Sequence, residues 1–182
     1  FGPRMIFDNA TVTIAERQKI GVIGRNGAGK STLLKIIVGE EEYNSGEVQI
    51  HDRARIGYLT QHDPFTPEEK VMEFLQRMSN KEVWECAKML SKFQVGKELH
   101  HSEIGSLAGG FQMRVKLTAM LLQDPNLLFL DEPTNYLDVS TQILLEQFLQ
   151  TYRGGFLVVS HDREFLKNTC TETLEVDQGK LA

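Results

Sequence analysis

Residues 24–32 read Gly-Arg-Asn-Gly-Ala-Gly-Lys-Ser-Thr, in which Gly24, Gly29, Lys30 and Ser31 fit G-x-x-x-x-G-K-[ST] with an additional glycine at Gly27. The chemistry of that spacing is phosphate binding. Glycines let the loop turn with its backbone N–H groups pointing inward, where a Cβ would block the approach of phosphate oxygens. Lys30 is placed to reach the terminal phosphates of a nucleotide, and the Ser31 hydroxyl to ligate Mg²⁺. Polar groups also follow two apolar runs: Asp131 and Glu132 after residues 126–130, and His161 after residues 156–159. The first carboxylate can hold Mg²⁺, directly or through water, and the second can orient or deprotonate an attacking water. Adjacent side chains on a strand point to opposite faces, so the two share one task only if the strand ends there, as Pro133 suggests. His161 is placed to donate to a terminal phosphate, and Gln61 to reach Mg²⁺ or the water.

These groups meet only if a parallel sheet carries them to one edge. Residues 20–23 read as the end of a buried strand, followed by a helix that starts at the phosphates, runs through Val38 and ends at Gly39. The runs 126–130 and 156–159 are continuous and apolar, as expected of central parallel strands buried on both faces. Asp138 is positioned to cap a helix through Ile143, Leu144, Phe148 and Leu149. Ligands gather at the carboxyl ends of strands in such sheets, so Gly24, Asp131 and His161 are expected to line one crevice. Two further features read as antiparallel. Residues 10–14 alternate like a half-exposed strand leading into a hairpin through Glu16 to Lys19, and residues 46–50 and 56–59 look like a pair of strands joined by a charged turn. From Thr66 the pattern is helical. Thr66 to Glu69 combines a capping box with proline, Ser79 and Glu82 repeat the capping signal, and Val83, Ala87 and Leu90 mark a buried face with Trp84 and Phe93 nearby. Residues 107–112, Leu-Ala-Gly-Gly-Phe-Gln, open another helix from Met113 to Leu122.

The 182 residues, 41% hydrophobic and 25% charged, have the composition of one soluble globular domain. No apolar run approaches a membrane-spanning helix, and no basic segment precedes an apolar signal. Cys86 and Cys170 stand alone, so neither a disulfide framework nor a zinc site is expected, and reduced cytoplasmic thiols are. A net charge of −5 gives no general attraction to nucleic acid, although a clustered basic face would still bind RNA. The chain starts at Phe1 and enters strand-like sequence at once, which is expected of a fragment.

Together these stretches resemble the nucleotide-binding domain of an ABC-type ATPase over essentially the whole chain. The resemblance implies an α/β P-loop NTPase fold with a mixed sheet, an antiparallel β subdomain and a small helical subdomain. Residues 1–182 would be a single domain, with 66–106 the inserted helical part. ATP would be held by Gly24, Asn26, Gly27, Ala28, Gly29, Lys30, Ser31 and Thr32, with Phe1 stacked on adenine. Ser31, Asp131 and Gln61 would hold Mg²⁺. Glu132 matches the catalytic glutamate, Gln61 the Q-loop, residues 135–138 the D-loop and His161 the switch histidine. Leu107, Ala108, Gly109 and Gly110 match the signature that contacts the γ-phosphate held by an opposite domain, so a second ABC ATPase domain is implied as partner. One departure stands out: the signature serine is replaced by Ala108.

Residues 131–138 and 160–166, with the short segment between Gln61 and the signature, are most similar to the ABC-F group. Its members carry two such domains in one chain without a membrane domain, and act on ribosomes in translation or antibiotic resistance. A cytoplasmic ATPase that contacts ribosomes through regions outside this sequence is therefore expected. The alternative is the ATP-hydrolysing motor of a membrane transporter.

Overall fold

The structure, a computed structural model, describes residues 7–177 and 179–182. These described residues form a sheet of six strands: β1 (Lys19–Gly24), β2 (Ile56–Leu59), β3 (Leu127–Asp131), β4 (Gly155–Val159), β5 (Glu172–Asp177) and β6 (Lys180–Leu181), in the order β2-β3-β4-β1-β5-β6. Neighbours run parallel except β5 and β6, so the sheet is mixed. Register aligns the site. Val159 of β4 lies opposite both Val22 of β1 and Asp131 of β3, so Gly24, Glu132 and His161 all emerge just beyond the same level of the sheet.

Among the described residues, six α-helices cover the two faces: α1 (Lys30–Val38), α2 (Val71–Ser79), α3 (Val83–Lys92), α4 (Gly109–Leu122), α5 (Val139–Thr151) and α6 (Arg163–Thr169). One core contains Leu33 and Leu34 of α1 against Val22, Phe129 and Leu157. The larger core, on the opposite face, joins α2 to α6 through Phe74, Leu90, Leu117, Leu145 and Phe165 against Leu128, Leu130, Phe156 and Val158. Alternate residues of β3 and β4 thus enter opposite cores, which is why both strands are apolar throughout. Both ends of α1 follow the glycine signals: Gly29 (φ 104°) is its N-cap and Gly39 (φ 80°) closes it.

Three expectations need correction. The antiparallel β subdomain is not formed among the described residues: 10–14 and 46–50 carry no ladder, and β2 pairs parallel with β3. The alternation at 10–14 instead records one-sided burial, with Val12 and Ile14 packed on the smaller core. Thr66 does not cap α2. Thr66 to Glu69 form a turn closed by Glu69 N–H to Thr66 O (3.1 Å), after which Val71 N–H donates to Ser102 O (3.0 Å) and Ile104 N–H to Glu69 O (2.9 Å), so Lys70 bridges to Glu103 and the helix starts only at Val71. In α3 the capping box is formed by Glu82 with Glu85, and the buried face is Cys86 and Leu90, while Val83 and Trp84 project outward.

Candidate functional site

The loop from β1 to α1 is fixed by its glycines. A Cβ on Gly24 (φ 153°) would come within 2.3 Å of Val176 O, so no other residue fits between β1 and β5 there. Gly27 and Gly29 also take positive φ, which turns the loop over the start of α1. Lys30, 6% exposed, donates from Nζ to the carbonyls of Gly24 (2.8 Å) and Arg25 (3.0 Å) and is thereby held inside the loop. Asn26 and Gly27 are exposed at the tip, and Ala28, Gly29, Ser31 and Thr32 are half-buried.

Ser31 Oγ donates to Asp131 Oδ1 at 3.0 Å, joining α1 to the end of β3. Burial pushes the Asp131 carboxyl above its ordinary pKa of 3.8, against the Ser31 hydrogen bond, the positive field of Lys35, an approach by Gln61 and the field of Lys30. A buried carboxylate and a half-buried hydroxyl with an amide alongside form an oxygen donor set suited to a hard divalent cation, whose charge would relieve that burial cost. Glu132 lies one residue on but outside the strand. Its φ is 49°, and its N–H donates to Val159 O at 2.8 Å, so the backbone turns and the side chain enters the same edge as Asp131. Such a backbone costs about 1–3 kcal/mol for a residue with a Cβ. Glu132 Oε1 is buried and faces Nδ1 of His161, while the His161 backbone N–H donates to Oε2 at 3.3 Å. Nε2 of His161 meets Asn26 Oδ1, which closes a chain of contacts from the phosphate loop to the carboxylate.

Lys30, Ser31, Asp131, Glu132, His161 and, more loosely, Gln61 therefore share one edge. Leu107, Ala108, Gly109 and Gly110 do not join them. They lead into α4 beside the start of α5, where Ala108, Gly109 and Gly110 line a cavity of about 540 Å³ with Arg114, Tyr136, Asp138 and Ser140. Ala108 is the N-cap of α4 and makes no side-chain cap. Phe1, expected at adenine, lies outside the described residues.

Sequence reasoning passed over Arg114. It is 6% exposed, donates from Nε to Thr141 Oγ1 (3.0 Å) and from Nη2 to Ser140 Oγ (3.0 Å), and lies over the Phe111 ring. The available signal was a cation one turn after Gly110 in a helix that is apolar for most of its length.

Residues 7–135 match the model of the ABC transporter family. Among curated relatives, the ATP-binding protein Uup of Buchnera aphidicola subsp. Schizaphis graminum is 39% identical across all of this chain and 32% of its own length. The ribosome protection protein VmlR of Bacillus subtilis is 37% identical, again over the whole chain and 33% of itself. The chain thus spans about a third of the length of these relatives. In fold it is similar to the dimeric structure of MJ0796, a bacterial ABC transporter cassette, with a TM-score of 0.81 and 22% identity over 97% of this chain and 88% of that one.

Proposed function

The chain belongs to the ABC transporter family, and from that membership we propose that it binds and hydrolyses ATP as one of two paired domains of an ABC-F-type protein. The observation that carries the reading is the shared edge at which Lys30, Ser31, Asp131, Glu132 and His161 meet. Backbone amides from Gly24 to Thr32 cradle the phosphates, and Lys30 exchanges its two carbonyl partners for phosphate oxygens. Ser31 and Asp131, with Gln61 beside them, would hold Mg²⁺, which supplies charge neutralisation between the phosphates. Glu132, buried with Oε1 directed at His161, orients a water and takes its proton, and His161 at the mouth fixes the carboxylate and faces the terminal phosphate.

The signature residues sit away from this edge, at the exposed start of α4. A second domain must therefore bring its own signature to the phosphates held here, and take the signature of this chain in return. Closure on ATP and opening after hydrolysis are the mechanical output. Residues 66–106 act as the inserted helical subdomain of one domain in a longer two-domain protein. Among the described residues no helix is long and apolar enough to cross a membrane. A cytoplasmic protein acting on ribosomes is supported by the likeness to VmlR, which is named a ribosome protection protein.

The test is co-sedimentation of the full-length protein, carrying Glu132→Gln and its equivalent in a second domain, with ribosomes or membranes in the presence and absence of ATP. ATP-dependent recovery with ribosomes is the expected result. Recovery only with membranes containing a cognate permease would make the protein a transporter motor instead.

A further inference from the structure

Gln61 is carried on a loop that is tied down at several points. Upstream, β2 lies under α4 so closely that a Cβ on Gly57 would come within 2.8 Å of Met120 Cγ. Within the loop, the Thr60 hydroxyl donates to His62 O at 2.7 Å. Downstream, the Arg77 guanidinium of α2 donates from Nη2 to Pro64 O at 3.0 Å while also bridging Glu69. Between these points Lys116, in the middle of α4, pairs through Nζ with Asp63 Oδ1 at 2.9 Å.

The Lys116 pair is unusual in its placement. Its side chain is only 10% exposed, so the stem is packed among the helices and the ammonium emerges at one point, whereas Asp63 is 53% exposed and free to rotate without it. A half-exposed pair contributes little to global stability, so this one is better understood by what it positions. Two residues before Asp63 is Gln61, which follows Leu59, the partner of Leu130 across the sheet, and so comes beside the Asp131 carboxyl.

We propose that Lys116 is a positioning residue, which through Asp63 holds the Gln61 loop against the Asp131 edge. The inference rests on the ATPase reading above.

The test uses the full-length protein with Lys116→Met, which keeps the packed stem and removes only the ammonium, with Asp63→Ala, and with both changes together. Hydrogen exchange of residues 60–66 is measured without nucleotide, and ATP turnover is measured against ATP and Mg²⁺ concentration. Each single variant should speed exchange in this segment, lower kcat and raise the Mg²⁺ needed for half-maximal turnover, with KM for ATP and the melting temperature little changed. The double variant should be no worse than either single. Unchanged exchange in both singles would overturn the tether. Faster exchange with unchanged kcat and Mg²⁺ dependence would overturn the positioning role. Absence of ATP turnover in the parent protein would instead overturn the hydrolysis reading and the catalytic consequence drawn from it, while the exchange arm would still decide the tether.

Discussion

Glu132 and His161 meet across the ends of β3 and β4, with Nδ1 of the histidine against Glu132 Oε1 and its backbone N–H donating to Oε2 at 3.3 Å. The pair separates two tasks. Glu132 is buried, whereas the His161 side chain is 56% exposed, so the carboxylate is screened from bulk water by the residue that also faces the loop tip at Asn26. A base in that position matters to the chemical step rather than to nucleotide binding. Glu132→Gln should lower kcat by about 10²–10⁴, the usual contribution of a general base, with ATP still bound. Nucleotide retained on the paired domains, together with single-turnover rates, checks this. Turnover equal to the parent's would remove Glu132 from the reaction.

How much of this was legible beforehand follows the range of each interaction. The phosphate loop could be read because its glycines answer to local backbone geometry, and Gly29 and Gly39 do bound α1. The strands at 127–131 and 155–159 could be read because burial on both faces leaves an unbroken apolar run. Pro133 pointed to a strand end, yet the left-handed turn at Glu132 that brings both carboxylates to one edge depends on Val159 of a different strand. Alternation at 10–14 was genuine, but a periodic pattern reports which side is buried and not whether a partner strand is present. The partners of Arg114 and Lys116 depend on how α4 packs against α5 and the Gln61 loop, which no local pattern encodes.

The substitution at the signature has a consequence for folding as well as for pairing. Ala108 is the N-cap of α4 (φ −61°, ψ 152°) and offers no side-chain acceptor to the first turn. Ala108→Ser should add about 1 kcal/mol through a hydroxyl that accepts an N–H of that turn. In a chain of this size that corresponds to a rise of about 2–4 °C in Tm. The same hydroxyl keeps its proton free to donate. Toward a partner-held phosphate that bond is worth about 1.5–3 kcal/mol, so ATP-driven pairing should tighten or turnover should rise. Thermal unfolding without nucleotide and ATP-dependent association read the two effects separately, and no change in either would reject both.

The two signature glycines are not equivalent. A Cβ on Gly109 meets nothing within 4 Å, but one on Gly110 would come to 2.0 Å from Asp138 Oδ1 and 2.7 Å from Thr141 Oγ1. Asp138 is held there because it caps α5, accepting from Thr141 N–H at 3.1 Å. Gly110→Ala should therefore push α4 away from the start of α5 and cost about 1–3 kcal/mol, as overpacking usually does. Gly109→Ala should leave Tm unchanged or raise it, since alanine favours the helix by up to about 1 kcal/mol. Denaturant unfolding of both variants without nucleotide tests this, and equal stabilities would mean that the Gly110–Asp138 contact yields freely.

Asp131 pits stability against function. Burial, the largest influence on it, outweighs the Ser31 hydrogen bond and the positive fields of Lys35 and Lys30, so its folded pKa lies above the ordinary 3.8. The folded state consequently holds the proton more tightly than the unfolded chain does. The ionised carboxylate costs stability above the raised pKa, and that cost fades as pH falls through it toward 3.8. Asp131→Asn is close in shape, is neutral at every pH in this range and retains an oxygen to accept from Ser31 Oγ. Without metal or nucleotide it should melt above the parent at pH 7, and the advantage should shrink as the pH is lowered to 4. The same variant should lose Mg²⁺-dependent turnover, because an amide oxygen neither neutralises nor holds a divalent cation as a carboxylate does. A variant that melts below the parent at pH 7 in EDTA would mean that the charge is stabilised by its surroundings in the folded chain, and the proposed trade would be wrong.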